Sequence, residues 1–209
     1  MTENKIHRLS GLSNLEFLKK YAKPGCVGLL GGSSGVDRAI RRGQRELDDE
    51  AKPSLWSHAV VFQGERIDGQ SWLIESDFEV GRGQLRNGVQ ENRIDKYADE
   101  KEWPNLGVLD LGLREKDTQR IIVAGLDLVA KRTKYDLHGI LQTYWAMMRK
   151  TLDQGQEKDS RFCSAFVRAV FHHVGIDLIP GVAVQHTMPE HVSRTTVPHS
   201  RYLLVRDDA

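Results

Sequence analysis

The chain has 209 residues, enough for one domain with a full core, and its charge is nearly balanced, 30 Lys and Arg against 29 Asp and Glu. That balance gives no basic excess for a nucleic-acid partner, and 39% hydrophobic with 28% charged residues is the composition of an ordinary soluble globule. Two cysteines, Cys26 and Cys163, exclude a disulfide scaffold and suit a reducing compartment.

Residues 1–21 scatter charges where a signal peptide would have its apolar centre, and no run approaches the roughly 20 apolar residues of a membrane span. The expectation is synthesis in the cytoplasm without a classical signal peptide, and no stable membrane insertion.

Residues 12–21 predict a short helix with Leu15, Phe17 and Leu18 as its apolar contacts, stopped at Pro24-Gly25. Residues 1–24 are read as a helical extension of a single domain spanning 1–209. Residues 26–30 read as a short strand that holds Cys26 in the core. The run from Gly31 to Gly35 lacks the lysine and the spacing of a phosphate-binding loop and reads as a flexible turn. Residues 36–50 are strongly charged and predict a solvated helix.

Residues 57–63 are almost continuously apolar after His58, as in a central strand. A hairpin over 64–69, with Asp68-Gly69 as turn chemistry, leads to a strand at 71–76. The polar stretch 77–102 predicts a surface wrap, and 106–113 a third strand. Thr118 is placed to cap a helix over 119–132, with Ile122, Leu126 and Val129 on one face, and a second helix follows at 137–152. After a polar linker at 154–158, Asp159 and Ser160 predict the start of a helix that carries Cys163 in its first turn and ends at Gly175. Residues 202–205 close the chain as a strand. Helices around an antiparallel sheet make the fold class α+β.

Cys163 is the candidate nucleophile. A free thiol titrates near roughly 8.5, and a helix start lowers that into the nucleophilic range. His58, opening an apolar strand, is the candidate base. Glu75 on the next strand falls near the same end of the hairpin, where a carboxylate fixes the tautomer of an imidazole. The bland alternatives are a buried core thiol, a core histidine and an exposed strand-end glutamate. His172 and His173 point apart on a helix, and His186, His191 and His199 lack metal-site spacing, so no zinc site is expected.

The ordered set His58 in WSHAVVF, Glu75 in SWLIES, Tyr135-Asp136 in KYDLHG and Cys163 in RFCSAFVRAV, followed by Gly175 to Pro180 in GIDLIP, resembles the circularly permuted NlpC-type papain-like cysteine hydrolases, the YiiX-like branch. The likeness covers about residues 25–195. Two positions depart from the family pattern: Gly25-Cys26 stands where Gly-Asp is common, and Glu75-Ser76 where Glu-Ala is common.

The resemblance implies a permuted papain-like fold, with an antiparallel sheet packed against helices. It implies Cys163 as nucleophile, His58 as base and Glu75 as its orienter, with backbone amides at the helix start as oxyanion hole. Tyr135, Ser57 and Ser164 would line the substrate cleft, and no metal or organic cofactor is implied. The implied activity is cleavage of amide bonds, with peptide or peptidoglycan as substrate. An antibacterial effector toxin, delivered by a non-classical route with a secretion-system component or immunity protein as partner, is one form of it. Two alternatives stand beside it: an acyl or ester hydrolase or acyltransferase acting on lipids, as in the permuted lecithin:retinol acyltransferases, and a non-catalytic binding module in which Cys163 is core.

Overall fold

The strand β3 (His58–Glu65) is buried from His58 through Phe62, so consecutive residues find cover on opposite faces and apolar layers must lie on both sides. The computed structural model describes residues 4–81, 84–131, 157–182 and 187–207. Around β3 the strands are β1 (Lys5–Leu9), β2 (Val27–Gly31), β4 (Ser71–Gly81), β5 (Gln84–Arg93), β6 (Asn105–Asp110) and β7 (Ser200–Val205). The helices are α1 (Asn14–Tyr21), α2 (Gly35–Gly43), α3 (Glu115–Ala130), α4 (Glu157–His172) and α5 (Pro189–Ser193). The strands form one sheet in the order β1-β7-β6-β2-β3-β4-β5. Every neighbouring pair is antiparallel except β1 with β7. The expected α+β class, a sheet packed against helices, is the observed one.

One core lies between the sheet and α3 and α4. There Val27, Leu29, Ala59, Val61 and Ile74 meet Ile121, Phe166, Val167, Val170 and Phe171. The other joins Leu30, Val60, Phe62 and Leu73 to Phe17 and Leu18 of α1 and to Ile94 and Tyr97 of a 3₁₀ turn, Ile94–Tyr97. Each of these large side chains contributes about 1.5–3 kcal/mol by leaving water. At Gly125 of α3 a Cβ would sit 2.7 Å from Ile74 Cδ1, so the absence of a side chain lets the helix lie close on β4. Gly64, with φ +90°, carries the irregularity that shifts the β3–β4 register between Phe62 and Gly64.

Several sequence expectations are corrected. The N-terminal extension is not only helical: Lys5–Leu9 is a strand in register with Ser200–Leu204. The charged helix at 36–50 ends at Gly43, followed by a 3₁₀ turn at Arg45–Leu47. The stretch read as a surface wrap extends β4 to Gly81 and forms β5 on it, because backbone pairing with a buried strand outweighs a polar sequence. Thr118 lies inside α3, whose N-cap is Arg114. The helix expected at 137–152 and Tyr135-Asp136 lie outside the described residues.

Candidate active site

Glu75 organises the site. The register places it opposite Val60, on the face that also carries Leu73 and Phe62 and that the 3₁₀ turn covers with Tyr97. β4 continues six residues beyond it, to Gly81, and Glu75 is fully buried, which sets aside the bland alternative of an exposed strand-end glutamate. A buried carboxylate is costly unless each lone pair is met. Here Oε1 accepts from Asn92 Nδ2 at 2.5 Å and from Lys96 Nζ at 2.7 Å, and Oε2 from the Tyr97 hydroxyl and from His58 Nε2, the latter at 2.7 Å. Four donors fill the roughly four lone-pair sites that two carboxylate oxygens offer.

The electrostatics follow. Burial pushes Glu75 up, but the hydrogen bond and charge of His58, and then Lys96, outweigh it and hold the carboxyl well below its usual range. Tyr97 is driven the other way, by burial first and then by the carboxylates of Glu75 and Asp77, so its phenol keeps its proton and donates it to Glu75. Lys96 also reaches Asp77 Oδ2 at 2.6 Å, and its charged form is favoured by both carboxylates against the pull of burial.

His58 is the first residue of β3 and is 8% exposed. Burial alone would lower its pKa. The charge of Cys163 and a hydrogen bond with it, followed by the bond to and charge of Glu75, reverse this and hold the imidazole well above its ordinary value. The ring therefore links Glu75, which shares a face with the α1-side core, to Cys163, which belongs to the core beneath α4. Cys163, His58 and Glu75 thus form one connected chain of contacts. Cys163 itself is 1% exposed, with Ser164 Oγ 3.8 Å from its sulfur.

Among the described residues helix α4 runs from Glu157, which places Cys163 at least seven residues into it. Asp159 and Ser160, expected as caps, lie within the helix, because Glu157 and Lys158 before them are themselves good helix formers. The amide of Cys163 is then past the four that a helix leaves unbonded. The expected oxyanion hole from helix-start amides, and the help of the helix dipole, do not apply to this cysteine. Ser57, expected to touch substrate, is 2% exposed and ties the backbone: its hydroxyl accepts from Gly32 N at 3.0 Å and donates to Leu30 O at 3.3 Å. Ser164 is fully buried.

Asn92, Lys96 and Tyr97 were missed in the sequence. The one signal for them is the spacing of Ile94 and Tyr97, three apart, which turns both toward the core at a single turn. The backbone carbonyl of Tyr97 accepts from Asn14 Nδ2 at 2.9 Å, so α1 braces the turn from behind.

No family model and no curated protein matches the chain. Among solved structures, five chains match. One is the crystal structure of the metalloprotein yiiX from Escherichia coli O157:H7, 12% identical, with a TM-score of 0.54, covering 90% of this chain and 98% of that one. At this identity the likeness shows a shared fold alone. The description of that protein as a metalloprotein prompts a test of the residues here. His58, Glu75 and Asp77 bring ligand atoms within 4.8 Å of one another. They do not fit a metal ion: the lone pairs of Glu75 are spent on four donors, His58 Nε2 is spent on Glu75, and an ammonium already bridges the two carboxylates.

Proposed function

We propose that the chain is a cysteine hydrolase of the permuted NlpC-type, papain-like kind, cleaving amide bonds. The observation that carries this reading is the 2.7 Å hydrogen bond between His58 and a buried, fully hydrogen-bonded carboxylate, with Cys163 acting on the same imidazole by charge and hydrogen bonding. In this reading His58 holds the proton of Cys163. The sulfur attacks the carbonyl carbon of the substrate and the carbonyl π pair moves to oxygen. On collapse the C–N bond breaks and His58 gives its proton to the leaving amine, leaving a thioester. Water then attacks the thioester carbon as His58 accepts its proton, the C–S bond breaks with its electron pair going to sulfur, and the acid departs, leaving the thiolate beside a protonated His58 as at the start. Glu75 holds the ring in the tautomer and orientation this needs.

The sequence resemblance supports peptide amides, peptidoglycan peptides first, as the substrate class, with action as an effector toxin and an immunity protein as partner in that setting. Tyr135, outside the described residues, is the further candidate for the cleft. No helix among the described residues is long and apolar enough to cross a membrane.

The burial of Cys163 favours a second reading, a binding module with an inert core thiol. Incubation with purified muropeptides and mass spectrometry of the products separates the two. Cleavage by the wild type that Cys163→Ala abolishes supports the hydrolase. An unreacted thiol below pH 7, together with no cleavage of muropeptides or lipid esters, supports the module.

A further inference from the structure

The cluster around Glu75 has the ligand set of a divalent-cation site and is filled by a side chain. His58, Glu75 and Asp77 converge within 4.8 Å, the arrangement of an imidazole and two carboxylates around one ion. Lys96 enters this cluster from the 3₁₀ turn, its side chain 19% exposed, and its Nζ lies 2.7 Å from Glu75 and 2.6 Å from Asp77. We infer that Lys96 is the resident cation of this site: its ammonium stands where a metal ion would stand, keeps the site closed to divalent metals, and holds the carboxylate that orients His58.

Charge and lone pairs decide which cation the site holds. Two carboxylates this close, one of them fully buried, need a compensating cation. A divalent ion and an ammonium both meet that need, but differently. A metal takes lone pairs from its ligands directly, whereas an ammonium offers three donors and leaves the remaining lone pairs to other donors. The site is built for the second case. Asn92, Tyr97 and His58 each take one lone-pair position of Glu75, so the position left between Glu75 and Asp77 is the one Lys96 fills. The ammonium also lies 5.6 Å from the centroid of the Tyr97 ring, a cation–π contact that a metal displacing Lys96 would forfeit. Lys96 and Asp77 are therefore positioning residues, acting on Cys163 only through Glu75 and His58. Their catalytic meaning rests on the cysteine hydrolase reading; the exclusion of metal does not.

The test uses the full chain with Zn²⁺ and Mn²⁺ as separate probes, in equilibrium dialysis followed by elemental analysis, with folding checked by near-ultraviolet circular dichroism. The wild type is expected to take up neither ion at the cluster. Lys96→Ala, or Lys96→Met if the alanine variant does not fold, is expected to take up one equivalent. The double variant with Asp77→Asn is expected to lose it. Lys96→Arg, which keeps the charge, is expected to stay metal-free and to restore the rate of Cys163 alkylation that Lys96→Ala lowers. One equivalent of metal in the wild type, lost in Asp77→Asn, would overturn the inference, and so would a folded Lys96→Ala that stays metal-free. Because the main readout is metal content, a chain that cleaves no amide still answers the question.

Discussion

The two cysteines are nearly equal in burial, Cys26 at 3% and Cys163 at 1% exposed, yet they stand in opposite chemistry. Cys26 precedes β2 on the α1 side of the sheet, packed among the residues around Phe62 and Leu30. Burial, and then the charge of Asp110, push its thiol up to about 12. Cys163 meets an imidazole that is itself anchored to a carboxylate. Burial by itself makes a thiol inert; what distinguishes the second cysteine is its interaction with the imidazole of His58.

The largest expected effect tests that partner. Iodoacetamide at pH 7, read site by site by mass spectrometry, should modify Cys163 in the native protein and leave Cys26 untouched. His58→Ala should slow the reaction at Cys163, and lower any amide cleavage by about 10²–10⁴-fold, the usual worth of a positioned acid–base group. Equal labelling of the two cysteines would remove the distinction between them.

Next comes the carboxylate. Glu75→Gln leaves Lys96 and His58 without their buried counter-charge and should cost about 3–5 kcal/mol in urea unfolding. The pH dependence has a definite sign. Glu75 has a lowered folded-state pKa, so its contribution is full above its unfolded value of about 4.3 and fades as pH falls toward the lowered one. His58 has a raised folded-state pKa, so its contribution is full below about 6.5 and is lost as pH rises through the raised value. Urea midpoints should therefore peak between these limits, and Glu75→Gln should flatten the acid side. An unchanged acid limb in that variant would count against Glu75 as its source.

Smaller effects sharpen the picture. Asn14, fully buried, donates to the carbonyls of Tyr97 and Trp103 and accepts from Arg206 Nη1 at 2.7 Å. Asn14→Ala should cost about 1–3 kcal/mol by leaving those groups unpaired, and should also slow Cys163 alkylation if the brace reaches the site. Cys26→Ala should cost about 1 kcal/mol, the toll of a small cavity, and leave Cys163 labelling as it was. A change at Cys163 in that variant would mean that the two cores are coupled through the sheet.

The sequence made His58, Glu75 and Cys163 legible because each sits in or beside an apolar run whose period declares a strand or a helix. The meeting of His58 with Glu75 was legible because β3–β4 pairing is local, whereas the approach of Cys163 was not, since its helix comes from far along the chain. The residues that saturate Glu75 were hidden for a different reason. Gln84–Arg93 has no apolar alternation, and it becomes a strand only because β4 offers it a paired backbone. Asn92, Lys96 and Tyr97 lie in or just after that stretch, so a polar composition concealed three site residues. The start of α4 was misplaced because Asp159 and Ser160 have the chemistry of caps, but the residues before them continue the helix just as well. The edge strand β1 has four exposed residues out of five and no sequence period that a core would impose.

The place of β7 has a consequence for how the molecule assembles. It lies between β6 and β1, joining residues near one end of the sequence to residues near the other, as in the pairing of Lys5 with Ser200. Loop-closure entropy makes such contacts late ones, while the hairpin that brings His58 to Glu75 closes over seventeen residues. The imidazole and its carboxylate are thus expected to meet early in refolding, with the thiol joining them only after α4 docks and the sheet edge completing last. Pulse-labelling hydrogen exchange would show it as early protection of β3 and β4 and late protection of β1. Protection of β1 together with β3 would mean that the whole sheet condenses in one step.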